Sequence, residues 1–153
     1  MVSISSIDDR YETINAIIEY LDQNHIKHET IFFGYRKPKN LLESVNFTTS
    51  KLSQDQIQEK IENSEIILDV LRENQTGLSF RVFDALALDK KIITTNNTIT
   101  QYDFYNPNNI LVIDPKNIRI PKSFLNSKYE VIPENIYRKY TLNNWIKSVL
   151  SNN

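Results

Sequence analysis

"SEIILDVLRENQTGLSFRVFDALALDKKIITTN", Ser64 to Asn96, holds two apolar runs, a polar turn with a glycine, and a helix-like stretch between them. Glu65–Val70 is nearly continuous apolar sequence, as expected of a strand covered on both faces. The polar turn ends at Gly77, one of only two glycines in the chain. The spacing predicts a helix from about Leu78 to Leu88, and Lys91–Thr95 reads as a β-branched strand. Strand, loop, helix and strand in this order belong to an α/β fold.

The same alternation extends in both directions. Val2–Ser5 reads as a first strand. Asp8 then caps a helix with Tyr11, Ile14, Ile18 and Leu21 on one face and Asn24 as its stop. Thr30–Phe33 is a second strand ending at Gly34, and Val45–Thr48 a short third one after the loop "YRKPKN". Ser53 to Gln56 fits a capping box, and Ile57 and Ile61 continue its helix. Ile110–Ile113 is a sixth strand. Thr141 precedes a final helix with Leu142, Trp145, Ile146 and Val149 on one side. Six strands separated by helices imply one domain with a Rossmann-like, doubly wound parallel sheet.

Composition sets the broad class. With 153 residues the chain suits a single domain able to support its own core. Hydrophobic residues make up 40% and charged residues 24%, as in ordinary globular proteins. A net charge of -1 gives no case for nucleic acid or an anionic membrane as partner. No cysteine is present, which excludes disulfides and thiolate metal sites. The start, "MVSISSIDDR", lacks a signal-peptide core, and no apolar run reaches membrane-spanning length. The expected location is the cytoplasm, where the sequons at Asn46 and Asn96 carry no weight.

In doubly wound sheets ligands bind beyond the carboxyl ends of the strands. That rule selects Ser5–Arg10, Gly34–Lys37, Leu71–Gly77 and Thr94–Tyr105. Within them, a glycine ahead of a helix lets the backbone approach a ligand, and the helix N-terminus favours an anion. Arg81 lies one turn into that helix and Asp84 shares its face. Two readings stand side by side: phosphate and ribose ligands, or a surface ion pair.

The stretch from Ser64 to Asn96 resembles the donor-binding half of GT-B glycosyltransferases. It is most similar to group 1-like enzymes of bacterial capsule and lipopolysaccharide assembly. The residues that carry the likeness are Arg81, Phe83, Asp84, Ala85, Leu86, Ala87 and Lys91, followed by "IITT". "QYDFYNPNNILVID", "SSIDDRYETI", "IFFGY" and "VNFTTSKLSQDQIQEKIENS" resemble other units of the same domain, in order along nearly the whole chain.

The resemblance implies that the chain binds a nucleotide-sugar. The Gly77 and Leu78 amides and Arg81 would face the diphosphate, with Arg10 and Ser6 approaching from the first strand. Asp84 stands where the family usually has Glu as ribose ligand. Lys51 and Leu52 would lie near the base, and Asn74, Gln75 and Thr76 near the sugar. Fixed donors would stabilise the leaving diphosphate without metal. No cofactor is implied, and no Asp-x-Asp metal motif stands in a suitable place. A complete GT-B enzyme also has an N-terminal acceptor domain, which the resemblance does not cover. Transfer is therefore expected only with such a domain or a partner subunit, which could add peripheral contact at the inner face of the membrane. A stand-alone nucleotide-sugar binding subunit is the non-enzymatic alternative.

A response-regulator receiver is the alternative from another class. Its acids, hydroxyl and lysine would be Asp8, Asp9, Asp69, Thr94 and Lys116. The Asp9-to-Asp69 interval is long for that fold, and "VLRENQTG" replaces the usual Met-Pro turn. His25 and His28 read as helix-exit residues and lack a third metal ligand. Tyr102, Phe104 and Tyr105 either stack on a ligand or cover the sheet edge.

Overall fold

Six short runs of β-branched and apolar residues become six strands of one sheet. In the computed structural model, which describes residues 1–151, these are β1 (Val2–Ser6), β2 (Glu29–Phe33), β3 (Val45–Thr48), β4 (Ile66–Asp69), β5 (Lys91–Thr94) and β6 (Ile110–Val112). The principal helices are α1 (Tyr11–Gln23), α2 (Gln54–Glu62) and α3 (Phe80–Ala87). Two short helices, α4 (Lys122–Asn126) and α5 (Glu134–Tyr137), precede α6 (Leu142–Ser151). The Trp145 and Val149 side chains, expected on one side of α6, lie outside the described residues.

All pairings are parallel and the order is β3-β2-β1-β4-β5-β6. The strand order reverses between β1 and β4, so the fold is Rossmann-like and doubly wound. The side-chain period of two sorts the strands between two cores. Ile66, Leu68 and Val70 pack with Ile14, Ile17, Ile18 and Leu21 of α1 and with Phe124 of α4. Ile67 and Ile92 pack with Ile61 of α2 and with Val82, Ala85 and Leu86 of α3. Ile17, Ile18 and Leu21 are fully buried, each worth about 2 kcal/mol of transfer free energy.

Local chemistry explains the element ends. Ser53 and Gln56 form the expected reciprocal capping box. Asp8 does not cap α1. Its carboxylate accepts the Arg10 N–H two residues on, and the helix starts at Tyr11. The exit of α1 is a Schellman turn, with Ile26 N–H donating to Leu21 O and His25 N–H to Asp22 O. His25 holds its left-handed position at φ 55°, where glycine is usual. The other glycine, Gly34, is forced by packing, since a Cβ there would stand 2.8 Å from Ile7 Cγ1.

α3 starts two residues later than the sequence suggests, because Ser79 keeps extended backbone (ψ 161°). Helices α4 and α5 escaped the periodicity because they are too short to show one. Each nevertheless follows a proline, Pro121 and Pro133. Among the described residues no helix is long and apolar enough to cross a membrane.

Candidate functional site

β1 and β2 stay in register from Val2–Glu29 to Ser6–Phe33, but β1 and β4 share only the pair Val2–Ile67 near their amino ends. Beyond it, Ser3, Ser5 and Ser6 on one side and Leu68, Asp69 and Val70 on the other line a crevice of about 460 Å³. The serines of β1 leave room that larger side chains would fill. The crevice lies at the carboxyl ends of the strands flanking the switch point.

The fold brings Ser6, Arg10, Lys51, Leu52, Gln75, Arg81 and Asp84 together around this crevice. They come from four separate segments, and only the sheet order makes them neighbours. Asn74, Thr76, Gly77 and Leu78 belong to the adjoining loop and do not line it. Gly77 has φ 85°, and a Cβ there would meet nothing within 4 Å. Its glycine is therefore required by backbone conformation, and no close protein approach demands it.

A buried polar network fixes the loop and the start of α3. Asp69 is 4% exposed. Its two oxygens accept from Ser79 Oγ at 2.7 Å and Thr94 Oγ1 at 2.9 Å. Ser79 thus gives its hydroxyl to β4 and makes no side-chain cap on its own helix. Asn96 Nδ2 donates to the Gly77 carbonyl at 3.0 Å, and its N–H donates to Thr94 Oγ1. Leu71 N–H donates to Thr95 Oγ1. The β4 exit, the glycine turn and the β5 exit are therefore one hydrogen-bonded unit.

The charged groups occupy three places around the crevice. Arg10 donates to Asp8 through Nε at 2.9 Å and Nη2 at 2.7 Å, and its Nη1 lies 3.5 Å from Val70 O. Burial disfavours the Asp8 carboxylate, but hydrogen bonds from Arg10 and the charges of Arg10 and Arg72 outweigh it, so its pKa lies below the ordinary value. Arg81 Nη1 donates to Asp84 Oδ2 at 2.9 Å, so the ion pair expected from their spacing is present. Lys51 lies 5.8 Å above the centre of the Phe33 ring. The crevice rim carries Phe80, which is 87% exposed.

Several residues weighed on sequence stand elsewhere. Phe104 is buried between Tyr102 and Tyr140, at ring distances of 5.3 and 4.7 Å, and packs against the α3 core. This trio covers the sheet. Lys91 of the family-like motif is buried at the amino end of β5. Its ammonium donates to Phe124 O, Ser127 O and Ser127 Oγ, holding the end of α4. His28 bridges Asp22 and Thr30, at 2.9 and 3.0 Å. Among the receiver-type residues, Asp69 has both oxygens engaged, Asp8 is held by two arginines, and Lys116 lies exposed beyond β6.

Sequence reasoning passed over Arg72, Ser79 and Asn96 as contributors to this region. Asp69 carried a usable signal, an acid ending a strand otherwise made of Ile and Leu. Ser79 and Asn96 gave none, because their partners are distant in sequence. No protein-family model matches the chain, and no curated protein matches it.

Proposed function

We propose that the chain binds a nucleoside diphosphate sugar in the carboxyl-end crevice, as the donor half of a glycosyltransferase of surface polysaccharide or lipopolysaccharide assembly. The observation that carries this reading is the convergence of Arg10, Lys51, Arg81 and Asp84 on one crevice at the β1/β4 switch point. A crevice of about 460 Å³ is within the range of small-ligand sites, roughly 300–1,000 Å³. Arg10 and Arg81 supply bidentate donors for phosphate oxygens. Asp84 supplies an acceptor for ribose hydroxyls, and Phe33 with Lys51 a face and a cation for the base. The ordered family resemblance along the chain supports the same ligand. The acceptor site and the catalytic base would come from a further domain or subunit, and binding without transfer is the non-enzymatic form of the proposal.

Calorimetric titration with UDP, GDP and their sugars tests it. We expect saturable binding that weakens about tenfold or more in Arg81→Ala and Asp84→Ala. Equal binding by both variants, or none at about millimolar ligand, would remove the proposal.

A further inference from the structure

Arg10 lines the β1/β4 crevice, whereas Asp8 and Arg72 stand beside it, and the two arginines do not stand free. Arg72, from the exit of β4, makes an ion pair with Asp8, its Nη2 standing 3.1 Å from Asp8 Oδ2. The same oxygen is held by Arg10 Nη2 at 2.7 Å. The other oxygen accepts Arg10 Nε at 2.9 Å and the Arg10 main-chain N–H at 3.1 Å. Donors from both flanks of the switch point thus converge on one carboxylate. Two guanidiniums and a main-chain N–H around one centre are also the donor set that a phosphate group takes.

The loop that delivers Arg72 is tied down separately. Glu73 N–H donates to Asp9 Oδ2 at 2.7 Å, and Arg72 N–H to Gln75 Oε1 at 3.4 Å. These bonds hold the Arg72 backbone beside the β1 exit independently of its side chain. Its side chain is 54% exposed, against 18% for Arg10 and 19% for Asp8. One arginine is fixed and the other has room to turn toward an incoming group.

We infer that Arg10 and Arg72 form a two-arginine phosphate clamp, and that Asp8 is the internal anion occupying it. The inference rests on the nucleoside diphosphate reading of the crevice and adds to it a phosphate ligand, Arg72, and a built-in competitor, Asp8. Binding is then an exchange, in which a phosphate of the diphosphate takes the guanidiniums and the Asp8 carboxylate turns to water. The exchange costs affinity, and removing the carboxylate's charge returns it.

The test titrates wild type, Asp8→Asn, Arg72→Gln and the double variant with inorganic pyrophosphate and, separately, with UDP and GDP, after thermal unfolding shows each protein folded. Asp8→Asn should bind pyrophosphate about tenfold tighter than wild type. Arg72→Gln should bind it more weakly and, in the double variant, cancel the gain. Equal or weaker binding by Asp8→Asn overturns the inference, because Asp8 then only holds Arg10 in place. Should Asp8→Asn fail to fold, unchanged pyrophosphate binding by Arg72→Gln overturns it alone. A pyrophosphate gain with no binding of either nucleotide sinks the nucleotide reading and leaves the clamp standing. No pyrophosphate binding by any of the four proteins sinks the clamp.

Discussion

The two ends of the sheet carry two hollows, and the larger one has the weaker claim to a ligand. At the amino ends a hollow of about 970 Å³ is lined by Met1, His25, Lys27, Glu29, Lys60, Glu65 and Lys122, among others. Lys60 already pairs with Glu29 there, and the Met1 ammonium donates to Lys27 O. At the carboxyl ends the crevice is half that volume, yet β1 and β4 part at it and four separate chain segments meet around it. Size measures imperfect packing between elements, whereas strand order decides where loops converge. The polar groups differ in the same sense. Lys91 at the amino end holds a helix in place, while Asp69 at the carboxyl end holds the loop that shapes the crevice.

Paired substitutions break or sharpen this contrast. Lys91→Ala and Asp69→Ala should each destabilise by about 3 kcal/mol, since each strands buried hydrogen-bonding groups. Urea unfolding should show similar losses of stability for both. Ligand titration should separate them: Asp69→Ala loses donor binding as well, because Ser79 at the start of α3 is released from β4. Lys91→Ala, assayed where it is folded, keeps wild-type affinity. Loss of binding in both variants would mean that the two ends do not act separately.

Acid should weaken the carboxyl end through Asp8. Its folded pKa lies below its unfolded value, so its stabilisation is complete above about pH 4 and is lost as pH falls through the folded value. The difference in urea midpoint between wild type and Asp8→Asn should therefore be largest near neutrality and shrink below about pH 4. A difference that stays constant with pH contradicts the Arg10–Asp8–Arg72 cluster.

The smallest effect belongs to the amino end. His25→Gly should raise stability by about 0.5–1 kcal/mol, because glycine adopts the left-handed Schellman position without the Cβ penalty. A lower unfolding midpoint would show that the His25 ring makes up that cost by packing.

Much of this fold was legible in the sequence. The six strands follow from β-branched runs, and their ends match the expectation or differ from it by one residue. The Ser53 capping box is legible because it is local, and so is the Arg81–Asp84 pair. Asp8 was misjudged as a helix cap because its carboxylate is taken by the Arg10 main-chain N–H and guanidinium two residues on, and by Arg72, which only the tertiary fold brings near. Arg72 was overlooked because its partner lies on another strand's exit, a proximity created by sheet order alone. Gly77 was read as letting the backbone approach a ligand, and the structure adds a second reason for glycine there, its φ of 85°. Composition shows that a glycine is rare without showing which of its two properties a site uses.

Amide chemical-shift mapping of the chain during titration with UDP and GDP compares both hollows in one measurement. The perturbed amides should be those of Ser6, Arg10, Lys51, Gln75, Arg81 and Asp84, with His25–Glu29 unmoved. Perturbations confined to His25–Glu29 and Asn63–Ile66, or none anywhere at about millimolar nucleotide, would contradict a donor site at the carboxyl ends.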